Sequence, residues 1–109
     1  MKIDVRHDAA ATFIIPDGEI DMARAPRLRE TFIAVTKDRK SPIIVNFENV
    51  GYIDSAGIAT LVECLRFVRE YNGELRLCCA SEMVFDVFEI ANLDAVFAFF
   101  PDEAAAVTG

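Results

Sequence analysis

Asp54 and Ser55 set a hydroxyl directly after a carboxylate, and Gly57 follows two residues later. A hydrophobic run from Pro42 to Phe47 comes before them, and an amphipathic stretch from Ile58 to Val68 comes after. The spacing predicts a strand, a loop and a helix whose N-terminus lies at Ser55. Backbone N–H groups and the helix dipole favour negative charge there. Ser55 is therefore a candidate for phosphorylation, which adds about −1.5 to −2 charges. Plain helix capping is the competing reading, since either residue does it well. A glycine in a first turn costs up to ~1 kcal/mol relative to alanine. The expectation for Gly57 is that its missing side chain lets a partner approach Ser55.

A second group, Gly18-Glu19-Ile20-Asp21, follows another strand-like run. Loops at the C-terminal ends of parallel strands are where such sheets usually bind ligands. If the two strands are neighbours, Asp21, Asp54 and Ser55 share one rim. Glu19 and Asp21 read either as a solvated loop or as an acidic rim that positions Ser55 and meets basic groups of a kinase. A Mg²⁺ site from these carboxylates is the weaker alternative.

Catalysis finds little support. The single histidine, His7, is far from Ser55 in sequence, and there is no P-loop, G-x-G-x-x-G or H-E-x-x-H. The three cysteines, Cys64, Cys78 and Cys79, include no C-x-x-C pair, which argues against zinc. They read as small buried hydrophobes in a reducing compartment, with Cys78 and Cys79 on opposite faces of a strand. No catalytic residue, cofactor or metal is expected.

These residues need a scaffold, and the periodicities supply one. Lys2 to His7 alternates as a strand and Thr12 to Ile15 as its hairpin partner, ended by Pro16-Asp17-Gly18. Ala25, Leu28, Phe32 and Val35 form a helical stripe, with Pro26 in the first turn. Ile43 to Phe47 is the β-branched run of a strand covered on both faces. Ile58, Leu61, Val62, Leu65 and Val68 line the next helix, which stops at Asn72-Gly73. Leu75, Leu77 and Cys79 alternate in a strand. Ser81 caps a helix with stripe Val84, Val87, Phe88 and Ala91. Val96 to Phe100 is a last strand, and Pro101-Asp102-Glu103 opens a helix through Val107. The order is αβαβαβα after an N-terminal hairpin. It implies one α/β domain over 1–109, with a small mixed, mainly parallel sheet of about five strands and about four helices.

At 109 residues and 53% apolar, the chain has enough hydrophobic material for one core without disorder. Its net charge of −7 would repel nucleic acid and anionic lipid. It would steer the protein toward basic protein surfaces. Neither a membrane-length apolar run nor a secretory h-region is visible, so the expected compartment is the cytoplasm.

Gly18-Glu19-Ile20-Asp21 resembles the G-E-[LI]-D element of STAS domains of the anti-sigma factor antagonist type. Ile44-Val45-Asn46-Phe47 and Tyr52-Ile53-Asp54-Ser55-Ala56-Gly57-Ile58 resemble the family's I-V-x-[DN]-[LF]…[FY]-[IM]-D-S-[SA]-G-[LI] segment, with Asn46-Phe47 one place early. Asn72-Gly73-Glu74-Leu75 and the helix from Phe85 to Leu93 resemble it less specifically. The resemblance implies Ser55 as phospho-acceptor. It implies as partners an anti-sigma factor with GHKL-type serine kinase activity and a PP2C-type phosphatase. It also implies that the unphosphorylated form binds the anti-sigma factor and frees a sigma factor. The residues expected to meet the partner are Glu19, Asp21, Asp54, Ser55, Ala56 and Gly57. Many relatives carry a second hydroxyl where this chain has Ala56. STAS domains also serve as non-phosphorylated modules of transport and stressosome assemblies. A receiver domain phosphorylated on Asp54 would need an acidic pair after the first strand and a lysine after a later one; the lysine is missing.

Overall fold

Two apolar faces of a single sheet organise the chain, and each gathers its own cluster of side chains. The structure is a computed structural model that describes residues 1–109. Strands β1 (Lys2–His7), β2 (Thr12–Asp17), β3 (Ile43–Asn46), β4 (Leu75–Cys78) and β5 (Ala98–Phe100) lie side by side in the order β1-β2-β3-β4-β5. The β1–β2 hairpin is antiparallel, from Lys2↔Asp17 to His7↔Thr12. The remaining pairs are parallel, with Val45 between Ile14 and Leu77. Helices α1 (Ala25–Lys37), α2 (Ser55–Glu70), α3 (Glu82–Ile90) and α4 (Glu103–Thr108) connect or follow the strands.

The alternation of strand side chains divides the core. Ile14, Ile43, Val45, Leu75 and Leu77 point to one face. There they meet Leu28 and Phe32 of α1, Leu61, Cys64 and Val68 of α2, and Val84 and Phe88 of α3. Phe13, Ile44 and Cys78 point to the other face and are covered by Ala106 of α4. That helix is short, and polar ties fasten it. Glu103 accepts from Arg6 (2.6 Å) and from the buried Asn46 amide (2.8 Å), and Arg76 donates to the carbonyls of Ala106 (2.8 Å) and Val107 (3.1 Å).

The anticipated element order and mixed sheet are present, with corrections at several boundaries. β2 runs on through Pro16 to Asp17. The N–H of Thr12 faces β3, donating to the Pro42 carbonyl, so the two-residue period turns the Pro16 nitrogen the same way. That is beyond the last β2–β3 pair, Ile14↔Val45, and the proline costs the sheet no hydrogen bond. β4 ends at Cys78, because Cys79 takes φ 60° and leaves the strand direction. Cys64 and Cys78 are buried, whereas Cys79 is half-buried. β5 begins at Ala98, because the N–H groups of Val96 and Phe97 turn back to the Leu93 carbonyl. Val62 and Ala91 are exposed rather than core, each lying at the edge of its helical stripe.

Candidate functional site

The loops after β2 and β3 are zipped together. Gly18 N–H donates to the Asn49 carbonyl (3.0 Å), Ile20 N–H to Tyr52 (2.9 Å) and Asp54 N–H back to Ile20 (3.1 Å). Ile20 and Ile53 thereby form a parallel bridge that extends the sheet past its regular strands. Both isoleucines are buried, so the extension is anchored by hydrocarbon as well as by backbone. This brings Glu19 and Asp21 to the same rim as Asp54 and Ser55, as the neighbouring strands required.

Asp54 is the N-cap of α2. Its Oδ1 accepts from the N–H groups of Ala56 (2.9 Å) and Gly57 (3.0 Å), and its Oδ2 accepts from Met22 N–H (3.1 Å). One carboxylate thus satisfies two donors of the helix terminus and tethers the neighbouring loop. Ser55 is the first helical residue and is exposed. Its hydroxyl stands outside the capping network, so capping and an accessible alcohol coexist on adjacent residues.

The acids of the first loop are partly neutralised. Asp21 accepts from the Arg24 guanidinium (2.6 Å) and from Arg24 N–H (3.0 Å), while Glu19 lies 3.8 Å from the same guanidinium. Neither the solvated-loop nor the acidic-rim reading of Glu19 and Asp21 includes this cation. The Asp21–Arg24 spacing of three residues was the available signal. No group of three or more His, Cys, Asp or Glu side chains converges on a metal position. The largest groove, about 400 Å³, lies between β1 and α1 and is lined by residues including Val5, His7, Glu30 and Ala34, none of them on the rim.

Gly57 has a different role from the one expected of it. It is buried, and a Cβ built on it would lie 2.7 Å from the Ile20 carbonyl oxygen, 2.7 Å from Ile53 Cγ1 and 2.8 Å from Ile20 Cγ2. Its missing side chain admits the first loop, not an outside partner. The sequence contained this: Gly57, Leu61, Cys64, Leu65 and Val68 follow one helical stripe, and all are buried. Ala56 is half-buried. Two exposed side chains went unrecognised as part of the site: Met22, 77% exposed and held by its N–H to Asp54, and Tyr52, 44% exposed. Both belong to the zipped loops, which therefore carry exposed apolar surface.

Nothing near Ser55 would make it a nucleophile in its own right. His7 sits at the opposite end of β2, with its Nδ1 3.0 Å from Thr12 Oγ1. Burial disfavours the thiolates: Cys64 is pushed up to about 12, first by desolvation and then by the Glu63 charge, and burial also raises Cys78 and Cys79. The arrangement offers an exposed hydroxyl on an acid-lined rim held by backbone hydrogen bonds between two loops.

Comparison with known proteins bears on this arrangement. The profile of the STAS domain family matches residues 2–106. The anti-sigma-B factor antagonist of Staphylococcus aureus is 34% identical over 76 residues, which is 70% of each chain. An anti-sigma factor antagonist from Mycobacterium paratuberculosis superposes with a TM-score of 0.89 at 21% identity, over 98% of this chain and 91% of that one. The Bacillus cell fate determinant SpoIIAA in its phosphorylated form superposes with a TM-score of 0.73 at 21% identity, over 95% of this chain and 96% of that one.

Proposed function

The chain belongs to the STAS domain family, and on that premise we propose that it is an anti-sigma factor antagonist controlled at Ser55. In this reading the unphosphorylated protein acts in the cytoplasm and is not itself an enzyme. It binds an anti-sigma factor that is also a GHKL-type serine kinase, and so frees a sigma factor. The kinase transfers the γ-phosphoryl of ATP to the Ser55 oxygen, the hydroxyl losing its proton and ADP leaving. A PP2C-type phosphatase reverses the step by hydrolysis. The antagonist relatives support the reading. The observation that carries it is the exposed Ser55 hydroxyl at the first position of α2, free of the Asp54 cap.

The geometry supports one working of the switch. Asp54 already occupies the N–H groups of Ala56 and Gly57. A phosphate on Ser55 gains the dipole's favourable field, ~0.3–1 kcal/mol. It finds those two donors taken and a carboxylate next to it. It therefore projects outward instead of folding into the helix terminus, and the zipped loops stay in place. The penalty falls on the partner, whose surface must accept a dianion where it met a small hydroxyl. Like-charge contact or an unpaired buried charge costs several kcal/mol. Binding then weakens by ~100-fold or more.

The test combines phosphopeptide mapping with calorimetry. After incubation with ATP and the GHKL-type anti-sigma factors of the same genome, acid-stable phosphate on Ser55 is expected with one of them. Ser55→Ala is expected to bind that protein and Ser55→Asp to bind it weakly. Equal affinity of wild type, Ser55→Asp and the phosphorylated form removes the mechanism. A STAS module of a transport or stressosome assembly, the alternative use of the fold, would take no phosphate on Ser55 from any of them.

A further inference from the structure

The charge of this chain is divided unevenly. Up to Arg76, eleven Lys and Arg residues stand against twelve Asp and Glu, whereas residues 77–109 hold six Asp and Glu and no Lys or Arg. Three of those six, Glu82, Asp86 and Glu89, are exposed on α3. At 100° per residue, Asp86 lies at the centre of the outward side of the helix, directly opposite the buried pair Val84 and Phe88. Glu82 and Glu89 fall to one side of it, and Met83 and Ile90 fall to the other. Ile90 is 81% exposed and Met83 63%, and with Met22 they are the three most exposed large apolar side chains of the molecule. The face thus sets two exposed apolar side chains beside a row of carboxylates, with no Lys or Arg on the helix.

Charge decides what covers it. A second copy would set carboxylates against carboxylates, and nucleic acid or anionic lipid is repelled in the same way. A protein groove with an apolar floor and Lys or Arg along one wall fits both halves of the face. The α3 helix also begins at the correct end of the molecule. Its N-cap Ser81 follows β4, and Ser55 follows β3, the parallel neighbour, so both helices start from the same rim. The whole chain spans 31 × 26 × 23 Å. One partner surface of ordinary size, ~800 Å² per side, reaches from Ser55 to α3.

We infer that the outward face of α3, formed by Met83, Asp86 and Ile90 with Glu82 and Glu89, is a second docking surface for the protein that reads Ser55, and that it grips a basic, apolar-floored groove whatever the state of Ser55. This rests on the function proposed above. The two contacts divide the work: α3 supplies attraction and encounter rate, and the rim supplies the phosphate-dependent decision.

The experiment measures affinity for the GHKL-type anti-sigma factor that phosphorylates the chain, at about 50 and 300 mM salt. The proteins are wild type, Ser55→Asp, the reversal Glu82→Lys/Asp86→Lys/Glu89→Lys, and the apolar variant Met83→Ser/Ile90→Ser. All five substituted α3 side chains are exposed, and circular dichroism checks the fold. Amide protection of residues 82–91 on complex formation gives a reading on the unmutated protein. Both α3 variants are expected to lose ~10-fold or more. The reversal should also flatten the salt dependence, and 82–91 should become protected. Wild-type affinity in both α3 variants, with 82–91 unprotected and Ser55→Asp weakened, overturns the α3 inference and leaves the Ser55 switch standing. Loss in the α3 variants with Ser55→Asp unaffected does the reverse. No binding by the wild type overturns both.

Discussion

Adding one methyl group at Gly57 separates two explanations of that glycine. Gly57→Ala places a Cβ 2.7 Å from the Ile20 carbonyl oxygen and within 2.8 Å of two isoleucine side-chain carbons. None of these is the loose end of a flexible chain. The carbonyl accepts the Asp54 N–H (3.1 Å), and both isoleucines are buried. Relief requires the first turn of α2 to lift off the loop after β2. Overpacking of this kind costs about 1–3 kcal/mol, and stretching the Asp54–Ile20 bond adds about 1 kcal/mol. Alanine's better helix propensity returns about 1 kcal/mol. The balance is a destabilisation of about 1–3 kcal/mol, read in urea as a lower midpoint at unchanged slope. In a thermal melt it lowers Tm by about 4 °C or more per kcal/mol. Gly51→Ala is the control, since nothing lies within 4 Å of its Cβ; its midpoint should hold within ±0.5 kcal/mol. If Gly57 instead existed to admit a partner, its alanine variant would be more stable than wild type by about the propensity difference. A raised midpoint for Gly57→Ala refutes the packing account.

Asp54→Ala removes the cap of α2 and the Met22 tether together, an expected loss of about 1–2 kcal/mol; Asp54→Asn keeps an acceptor oxygen and should fall between, and hydrogen exchange at the Met22 amide should speed up in the alanine variant. For the thiols, burial holds Cys64 at about 12 against an ordinary 9.0, so at pH 8 only ~10⁻⁴ of it is thiolate and alkylation should proceed only after unfolding. The same shift has a sign in stability. The folded chain keeps the Cys64 proton after the unfolded chain has released it, so this contribution is intact below pH 9 and falls as pH rises toward about 12, which denaturant midpoints taken across that interval will register.

Much of the scaffold was legible because hydrophobic period and cap chemistry agree over long stretches. The stripe from Ile58 to Val68 and the carboxylate at Asp54 both point to one helix, and α2 forms as they require. Where a single residue's backbone decides, the pattern misled. Cys79 continues the alternation of β4 and yet turns to φ 60°. Pro16 reads as a stop, but its nitrogen lies beyond the last β2–β3 pair, Ile14↔Val45. At the site, the sequence displayed the acids of the first loop without the guanidinium that binds them, because pairing depends on where Arg24 turns. The tie from the Met22 N–H to Asp54, 32 residues away, was equally hidden, since it depends on the two loops meeting.

The two sides of the sheet are closed by different means. Hydrocarbon seals the side under α1, α2 and α3, whereas the six-residue α4 is latched by Arg6, Asn46 and Arg76. A helix that short does not hold itself together in water. Salt screens the Arg6–Glu103 link, whose arginine is half exposed. The molecule therefore has a weather side. Ionic conditions loosen the lid over Phe13, Ile44 and Cys78 first, while the rim bearing Ser55, footed in the other cluster, keeps its shape.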